Sequence, residues 1–509
     1  MGVATMLSRV LGLIRELAMA ATFGASGVTD AFQIAYRIPN MLRDLFAEGS
    51  FSAAFVPILS KVKEEGDDSV QREARKLIWS SFCLLTGITF FIVLGIEYFA
   101  SDLVALMTDA EYAKDREKFE LTVVLVRIMA PFLMLISLAA LVMGALNTFK
   151  AFFIPSFAPA TFNVAMIGAI LFGSKYFASK GMEPILALAW GVLLGGAFQF
   201  LFQVPLMLKK RLGPVKGLKL WDENQKSILG RMGIGTIGVA TNQLNIIVNT
   251  YLATGTVVGA VSWLTYAFRL YQFPVGIIGV SLANSNLVHF SAAWKGQRKE
   301  EAMGYFKSSI SYSLFLLLFC TGLLIGLSEP MVHLVFERGA FTAEDTQQTQ
   351  WVLKFFALGL PSYGLFKIFS PTFYTLDNPK FPVMTSVGCV IFNILFCWVL
   401  TPLYGFWILP LGTSLSVLIN AGIQFFKLKK DLGFDLLSVI GGRQLKMMIS
   451  SSISGIAAWW LSELYIDYSS IFLMKSAIFV MILLLSGLSY LGILFLLGEG
   501  NFLKKVLAK

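Results

Sequence analysis

Charge is what this sequence has least of: Asp, Glu, Lys and Arg together make up 14% of 509 residues, against 56% hydrophobic residues. Soluble domains carry roughly a quarter charged residues, so the shortage excludes a soluble globular protein. Histidine is nearly missing. The two that occur, His289 and His333, have no metal-ligand spacing around them and read as structural or interfacial. Four cysteines, Cys83, Cys320, Cys389 and Cys397, all fall in apolar segments, where they serve as small hydrophobes rather than a disulfide framework. Long polar stretches are absent too: the longest, 61–76, 208–226 and 329–350, are too short for a soluble domain, so function has to reside in the helices. No nucleophile and base pair, nucleotide-binding loop or metal motif stands out, which argues against an enzyme. Gly233-Ile234-Gly235 lies inside an apolar helix and reads as packing.

What the sequence does have is a succession of apolar runs. A spanning helix needs roughly 20 mostly apolar residues, and windows of that kind begin near Gly2, Ala31, Leu77, Leu121, Ser156, Ile185, Ile228, Val257, Ser308, Trp351, Phe381, Trp407, Lys446 and Ile471. The fold class expected is therefore an all-α polytopic membrane protein with fourteen transmembrane helices. An even number places both termini on one side, and the distribution of Lys and Arg says which. Alternate loops hold the basic residues: 61–76, the Lys209-Lys210-Arg211 cluster with Lys216 and Lys219, Lys295 to Lys299, Lys427 to Lys430, and the C-terminal Lys504, Lys505 and Lys509. Both termini are thus expected in the cytoplasm, and the net charge of +10 calls for anionic lipid headgroups rather than nucleic acid. The basic segment 209–226 separates six windows from eight. The similar placement of Asn147 and Asn378, with Pro155 and Pro379 following, hints at the internal repeat common in alternating-access transporters.

The remaining charges lie where they are costly. Arg15 falls about 21 Å along a helix from Met1, and Arg43 about 20 Å from Asp30, both well inside a hydrocarbon core roughly 30 Å thick. Each such charge costs about 2.5 to 3.5 kcal/mol, so the four arginines and four acids of the first two helices must line a wet cavity or pair with one another. Asp30, Arg37 and Asp44 are spaced by seven and share a face, as do Arg9 and Glu16, and internal ion pairs are the plain expectation for them. Arg15 and Arg43 differ, because the same-face neighbours Gly12, Pro39 and Ala47 carry no carboxylate. Arg269 lies at similar depth near Pro274 and Gly276, also without an acid close by in its own helix. Three such arginines suit a polyanion, since a planar guanidinium binds phosphate bidentately. Pro39, Pro274 and Gly276 are candidate hinges beside them. Lys367 and Arg127 are secondary intramembrane candidates.

These residues resemble a known family. Ser8-Arg9-Val10-Leu11-Gly12, Thr29-Asp30-Ala31-Phe32, Arg37-Ile38-Pro39-Asn40, Arg43 and Phe46-Ala47-Glu48-Gly49-Ser50-Phe51 look like the MurJ/MviN lipid II flippases. The likeness continues through Asn147, Pro155, Asn163, Arg269 with Pro274 and Gly276, Phe336-Glu337-Arg338-Gly339-Ala340-Phe341, and Gly412-Thr413-Ser414. It implies the multidrug/oligosaccharidyl-lipid/polysaccharide exporter fold: two six-helix lobes in a V, with two C-terminal helices forming a groove for a lipid tail. The corresponding domains are 1–208, the linker 209–226, 227–430, and 431–509.

The implied substrate is lipid II, an undecaprenyl-pyrophosphate bearing a disaccharide-pentapeptide, moved to the outer leaflet of the bacterial inner membrane for peptidoglycan synthesis. Membrane lipids are the other implied partners, with cell-wall synthases as candidate protein partners. Matched position by position, the family's cavity arginines fall on Arg9, Arg15, Arg43 and Arg269, and its cavity acids on Glu16, Asp30 and Glu48. A sodium site of some members needs carboxylates where this chain has Asn249 and Cys397, while Asn393 and Thr413 keep their places. Hard cations prefer charged oxygens, so these are degenerate sodium positions; no cofactor is implied, and the coupling ion or potential stays unassigned. The expected mechanism is alternating access, with Arg15, Arg43 and Arg269 on the pyrophosphate. A flippase for another undecaprenyl-linked glycan would need the same site. A cation-coupled drug exporter would show a cavity of acids instead, and a non-transporting scaffold would tolerate neutral residues at the arginines.

Overall fold

The computed structural model describes residues 2–44, 50–64, 68–435, 439 and 441–507. Among the described residues the regular elements are all helical. Lipid offers backbone groups no hydrogen-bond partner, so each segment has to satisfy its own N–H and C=O groups, and a helix does this within itself. Eight of the described helices are long and apolar enough to cross a membrane, or nine if the bent pair Ala343–Leu358 and Leu360–Thr375 counts as one span. Other windows in the sequence coincide with helices that are charged, short or interrupted. Gly2–Phe23 carries Arg9, Arg15 and Glu16, Gly27–Arg43 has 17 residues, and Ala260–Pro274 passes into a π-helical stretch, Val275–Gly279.

The chain divides into two compact units, Met1–Ser262 with Arg338–Phe341, and Trp263–Glu337 with Thr342–Lys509. In the first unit, Ser26 starts the second helix: its backbone is extended and its hydroxyl accepts from the Thr29 N–H at 3.3 Å, satisfying a donor the helix end would leave open. Gly2–Phe23 packs along Phe153–Gly168, Gly27–Arg43 along Arg116–Met129, and Glu223–Thr254 along Ser50–Glu64. An apolar core around Phe55, Leu59, Ile78, Leu141 and Leu146 fills the space between neighbouring helices. The tip Arg338–Phe341 closes on the end of the first helix, where the Ala340 N–H donates to the Ala21 carbonyl at 2.8 Å. Gly24 and Gly339 both have φ of +61°, and a Cβ on either would lie within 2.4 Å of the facing backbone oxygen. Only glycine meets both demands.

In the second unit, Lys299–Gly326 packs on Gly442–Tyr465 through small residues. The Ser451 hydroxyl donates to the Leu318 carbonyl at 2.5 Å, and Gly322 and Gly326 face Ser451 and Gly455. Phe290, Phe306, Phe369, Phe373 and Phe425 form the neighbouring core. Thr342 and Asp345 build a capping box for Ala343–Leu358, and Asp345 also accepts from the Trp263 indole at 2.8 Å. His333 is tied down on both ring nitrogens, Nδ1 to Glu337 and Nε2 to Lys475, each at 2.9 Å, and His289 stacks on Tyr305.

Candidate functional site

The first unit carries the charges of its first two helices. Arg15 stands two-thirds of the way along Gly2–Phe23, partly buried, and reaches in two directions: Nη2 donates to Glu16 Oε1 at 2.5 Å, and Nη1 to Asn163 Oδ1 at 3.2 Å. Its guanidinium also lies 5.7 Å from the centre of the Phe162 ring, within cation–π range. Asn163 in turn donates from Nδ2 to the Ser8 carbonyl at 3.1 Å. One amide in an otherwise apolar helix therefore fixes both the arginine and the helix carrying it. Glu16 is 4% exposed, so Arg15 supplies the charge that makes its burial tolerable. Arg43 is also partly buried and holds Asp44 Oδ1 from Nη2 at 2.9 Å. The feature of the site that matters most chemically is two partly buried arginines, each answered by the carboxylate next to it in sequence.

One expectation needs correcting here. Arg15 and Arg43 are not devoid of acidic partners in their own helices; each uses the residue that follows it. Adjacent residues on a helix point about 100° apart, so a search along one face misses them, but an arginine side chain is long enough to fold round. The spacing of Asp30, Arg37 and Asp44 suggested mutual ion pairs, and each of them also bonds to residues outside that set. Arg37 donates to the Thr250 hydroxyl, and Asp44 accepts from Arg43 and, at 3.4 Å, from Gln243.

Asp30 is 4% exposed and has a structural task. Its Oδ2 accepts from the Gly259 N–H at 2.7 Å, and its Oδ1 from the Ser262 N–H at 2.9 Å and the Ser262 hydroxyl at 2.6 Å. It caps the start of Ala260–Pro274, using both oxygens on the open N–H groups of that helix end. Asp30→Ala is expected to lower stability by about 2 kcal/mol or more, because two buried N–H groups lose their acceptor. Asp30→Asn, which keeps one carbonyl oxygen, should lose less. Melting temperatures of the two variants in detergent check this, and an alanine variant as stable as the asparagine one would refute it.

The other site residues are placed as follows. Arg9 is exposed on the first helix, and Arg269 is exposed on Ala260–Pro274 in the second unit. Glu48 lies outside the described residues. Of the degenerate sodium positions, Asn249 is half-buried in the first unit, while Asn393 and Thr413 belong to the second. The Thr413 hydroxyl donates to the Leu409 carbonyl at 2.9 Å, and Asn393 is fully buried with Cys397 Sγ 3.5 Å from its Oδ1. Two amides and a hydroxyl already engaged with its own helix supply only neutral oxygens. That donor set does not fit a sodium site of the carboxylate kind. Sequence reasoning missed Asn163 as a site residue and Thr250 as a partner; a lone polar side chain inside an apolar run was the available signal for the first.

Comparison with known proteins gives this geometry a context. The family model described as lipid II flippase MurJ matches residues 19–479. The lipid II flippase MurJ of Burkholderia cenocepacia is 36% identical over 431 residues, covering 84% of this chain and 82% of the relative. Among solved structures, a lipid II flippase MurJ in an inward closed conformation aligns with a TM-score of 0.80 at 25% identity and covers 99% of each chain. An inward-facing multidrug resistance MATE transporter of the MOP superfamily aligns at 0.68 with 12% identity, covering 84% of this chain and 94% of its own. The latter likeness shows the fold alone.

Proposed function

The chain belongs to the MurJ family of lipid II flippases, and from that membership we propose that it carries lipid II from the inner to the outer leaflet of the bacterial cytoplasmic membrane for cell wall synthesis. The observation that carries the reading is that Arg15 and Arg43 stand partly buried in the first two helices, each held by the carboxylate that follows it. Placing arginines at a depth where each costs about 2.5 to 3.5 kcal/mol makes sense when a polyanion completes the site. A pyrophosphate is such a group.

In the proposed resting site Glu16 and Asp44 hold the two guanidiniums in place. When the pyrophosphate enters, its oxygens compete for the same N–H groups and win by offering two acceptors per guanidinium at higher charge. Arg9 and Arg269 extend the cationic lining, and Glu16 and Glu48 are its counter-charges. Asp30 is left out of direct binding in this proposal and acts as scaffold. The prenyl tail stays in lipid along the helices of 431–509, and the lobes 1–208 and 227–430 rock about the linker 209–226 to expose the headgroup on the other side. Fourteen spans with both termini in the cytoplasm complete this picture, supported by the alternation of basic and neutral loops. No covalent chemistry is needed: the protein is a transporter, and the ion or potential that drives it is left unassigned in this proposal.

The test is replacement of a depleted lipid II flippase by this chain in a bacterium, scoring lipid II exposed on the outer leaflet. Wild-type protein is expected to restore exposure, while Arg43→Ala lowers it roughly tenfold or more, the loss of one charge-assisted contact. A well-expressed wild type that restores nothing would move the substrate to another undecaprenyl-linked glycan. Full activity in Arg43→Ala would remove the arginine site.

A further inference from the structure

Away from the central charges, the second unit holds a polar cavity of about 420 Å³ bounded by three separate pieces of chain. Lys307 and Ser308 come from the first turns of Lys299–Gly326, Arg443 from the start of Gly442–Tyr465, and Asn501 and Lys505 from the C-terminal helix Gly500–Leu507. Three cationic side chains line it, and no carboxylate does. Glu499 accepts from Arg443 Nε at 2.9 Å and from Lys446 Nζ at 3.1 Å, so its charge is shared with a lysine outside the lining and the described lining stays cationic.

The walls are fixed rather than incidental. Phe502 packs against the rings of Tyr312 and Phe315 and lies 5.0 Å under the Arg443 guanidinium. Gln444 accepts from the Gly441 N–H at 2.9 Å and its amide reaches toward Ser311 at 3.5 Å. The C-terminal helix is thereby anchored with Lys505 facing the same space as Lys307 and Arg443. Apolar residues beside the cavity are open: Leu445 and Met448 on one helix, Phe495 and Leu496 just before the C-terminal one, are all at least half exposed. A cationic chamber next to bare apolar surface, at the helix ends assigned to the cytoplasmic side, has the two-part character of a phospholipid: a phosphate-bearing head and acyl chains.

We propose that this cavity binds the phosphodiester headgroup of an anionic membrane phospholipid through Lys307, Arg443 and Lys505, with the acyl chains lying along Leu445 and Met448. The site belongs to the second unit alone and is independent of the substrate assignment above. Its occupant would brace the C-terminal helix against Lys299–Gly326, joining the ends of three helices that the chain otherwise connects only at a distance.

The experiment uses the full chain in detergent, titrated with phosphatidylglycerol, with phosphatidylcholine or with inorganic phosphate, and follows lipid adducts by native mass spectrometry alongside the melting temperature. Phosphatidylglycerol is expected to bind and to raise the melting temperature, and phosphatidylcholine to do neither. The double variant Lys307→Gln/Lys505→Gln keeps the Arg443 to Glu499 bridge and the aromatic packing. It should bind phosphatidylglycerol about 25-fold more weakly, at on the order of fivefold per charge removed. Lys209→Gln/Lys210→Gln, which removes the same charge from the linker, should bind as wild type does. Equal weakening in both double variants would reduce the effect to general surface charge and overturn the site. So would unchanged affinity in Lys307→Gln/Lys505→Gln. If inorganic phosphate alone gives the same stabilisation at the same concentration, the ligand is a free anion and the headgroup assignment fails.

Discussion

Arg15→Ala is expected to abolish lipid II exposure on the outer leaflet, and Arg15→Lys to keep only a small fraction of it. The arginine has two partners that a lysine cannot serve together: Glu16 at 2.5 Å from one Nη and Asn163 at 3.2 Å from the other. A single ammonium has no planar fork with which to hold both and still meet a phosphate. The alanine variant carries a second cost. Glu16 is buried, and stripping it of its counter-charge costs about 3 to 5 kcal/mol, so loss of activity by itself could reflect loss of fold. Adding Glu16→Gln separates the two effects. Arg15→Ala/Glu16→Gln removes the stranded charge and is expected to recover most of the melting temperature and membrane level of the wild type, while lipid II exposure stays absent. If the double variant transported normally, Arg15 would be no more than a counter-ion for Glu16, and the phosphate-binding role would go to another residue. Asn163→Ala offers a milder check: with the guanidinium still paired to Glu16 but less well aimed, exposure should fall about tenfold rather than vanish, consistent with about 1.5 kcal/mol, the lower end for one hydrogen bond to a charged group.

How far the sequence led depends on how far apart the partners lie along the chain. Arg15 and Arg43 could be picked out from their depth in apolar runs, since a charge in the middle of a span needs a reason, and the family likeness points to the same residues. Their partners could not be picked out by periodicity. Glu16 and Asp44 are neighbours in sequence that a one-face reading skips, and Asn163 is reached only because Phe153–Gly168 packs against the first helix. Asp30 shows the same limit more sharply. Its charge and depth are visible in the sequence, but the N–H groups it caps are 229 and 232 residues away, so it looked like a cavity acid. The helical class followed directly from composition and run length. Span by span, however, the windows at Gly2 and Ala31 are weaker than the others, because the residues that make the site also dilute the apolar signal of Gly2–Phe23 and Gly27–Arg43. The close packing in the second unit had no signature at all, since a glycine in an apolar run gives no sign of which neighbour it admits.

That packing carries a large expected effect on stability. A Cβ placed on Gly326 would stand 2.2 Å from the Gly455 carbonyl oxygen, and one on Gly455 would stand 2.6 Å from the Gly322 oxygen. Both obstacles are backbone, so no side chain can swing aside, and the helices Lys299–Gly326 and Gly442–Tyr465 would have to separate along a contact that includes the bond from the Ser451 hydroxyl to the Leu318 carbonyl. In lipid there is no hydrophobic gain to hold them together once they part, because the tails are as apolar as the side chains, and close approach is what binds the pair. Gly326→Ala is therefore expected to cost on the order of 3 kcal/mol, the upper end for overpacking, and Gly326→Leu to leave little folded protein. Gly304 in the same helix provides the control. Nothing lies within 4 Å of a Cβ at that position, so Gly304→Ala relieves only the chain entropy of glycine and should be neutral or stabilising by up to about 1 kcal/mol. Melting temperature and the yield of monodisperse protein in detergent read both variants on one scale. Opposite signs from the same substitution, 22 residues apart in one helix, would locate the stability in the crossing rather than in helix propensity. Equal behaviour of the two would mean that the helices meet at some other point.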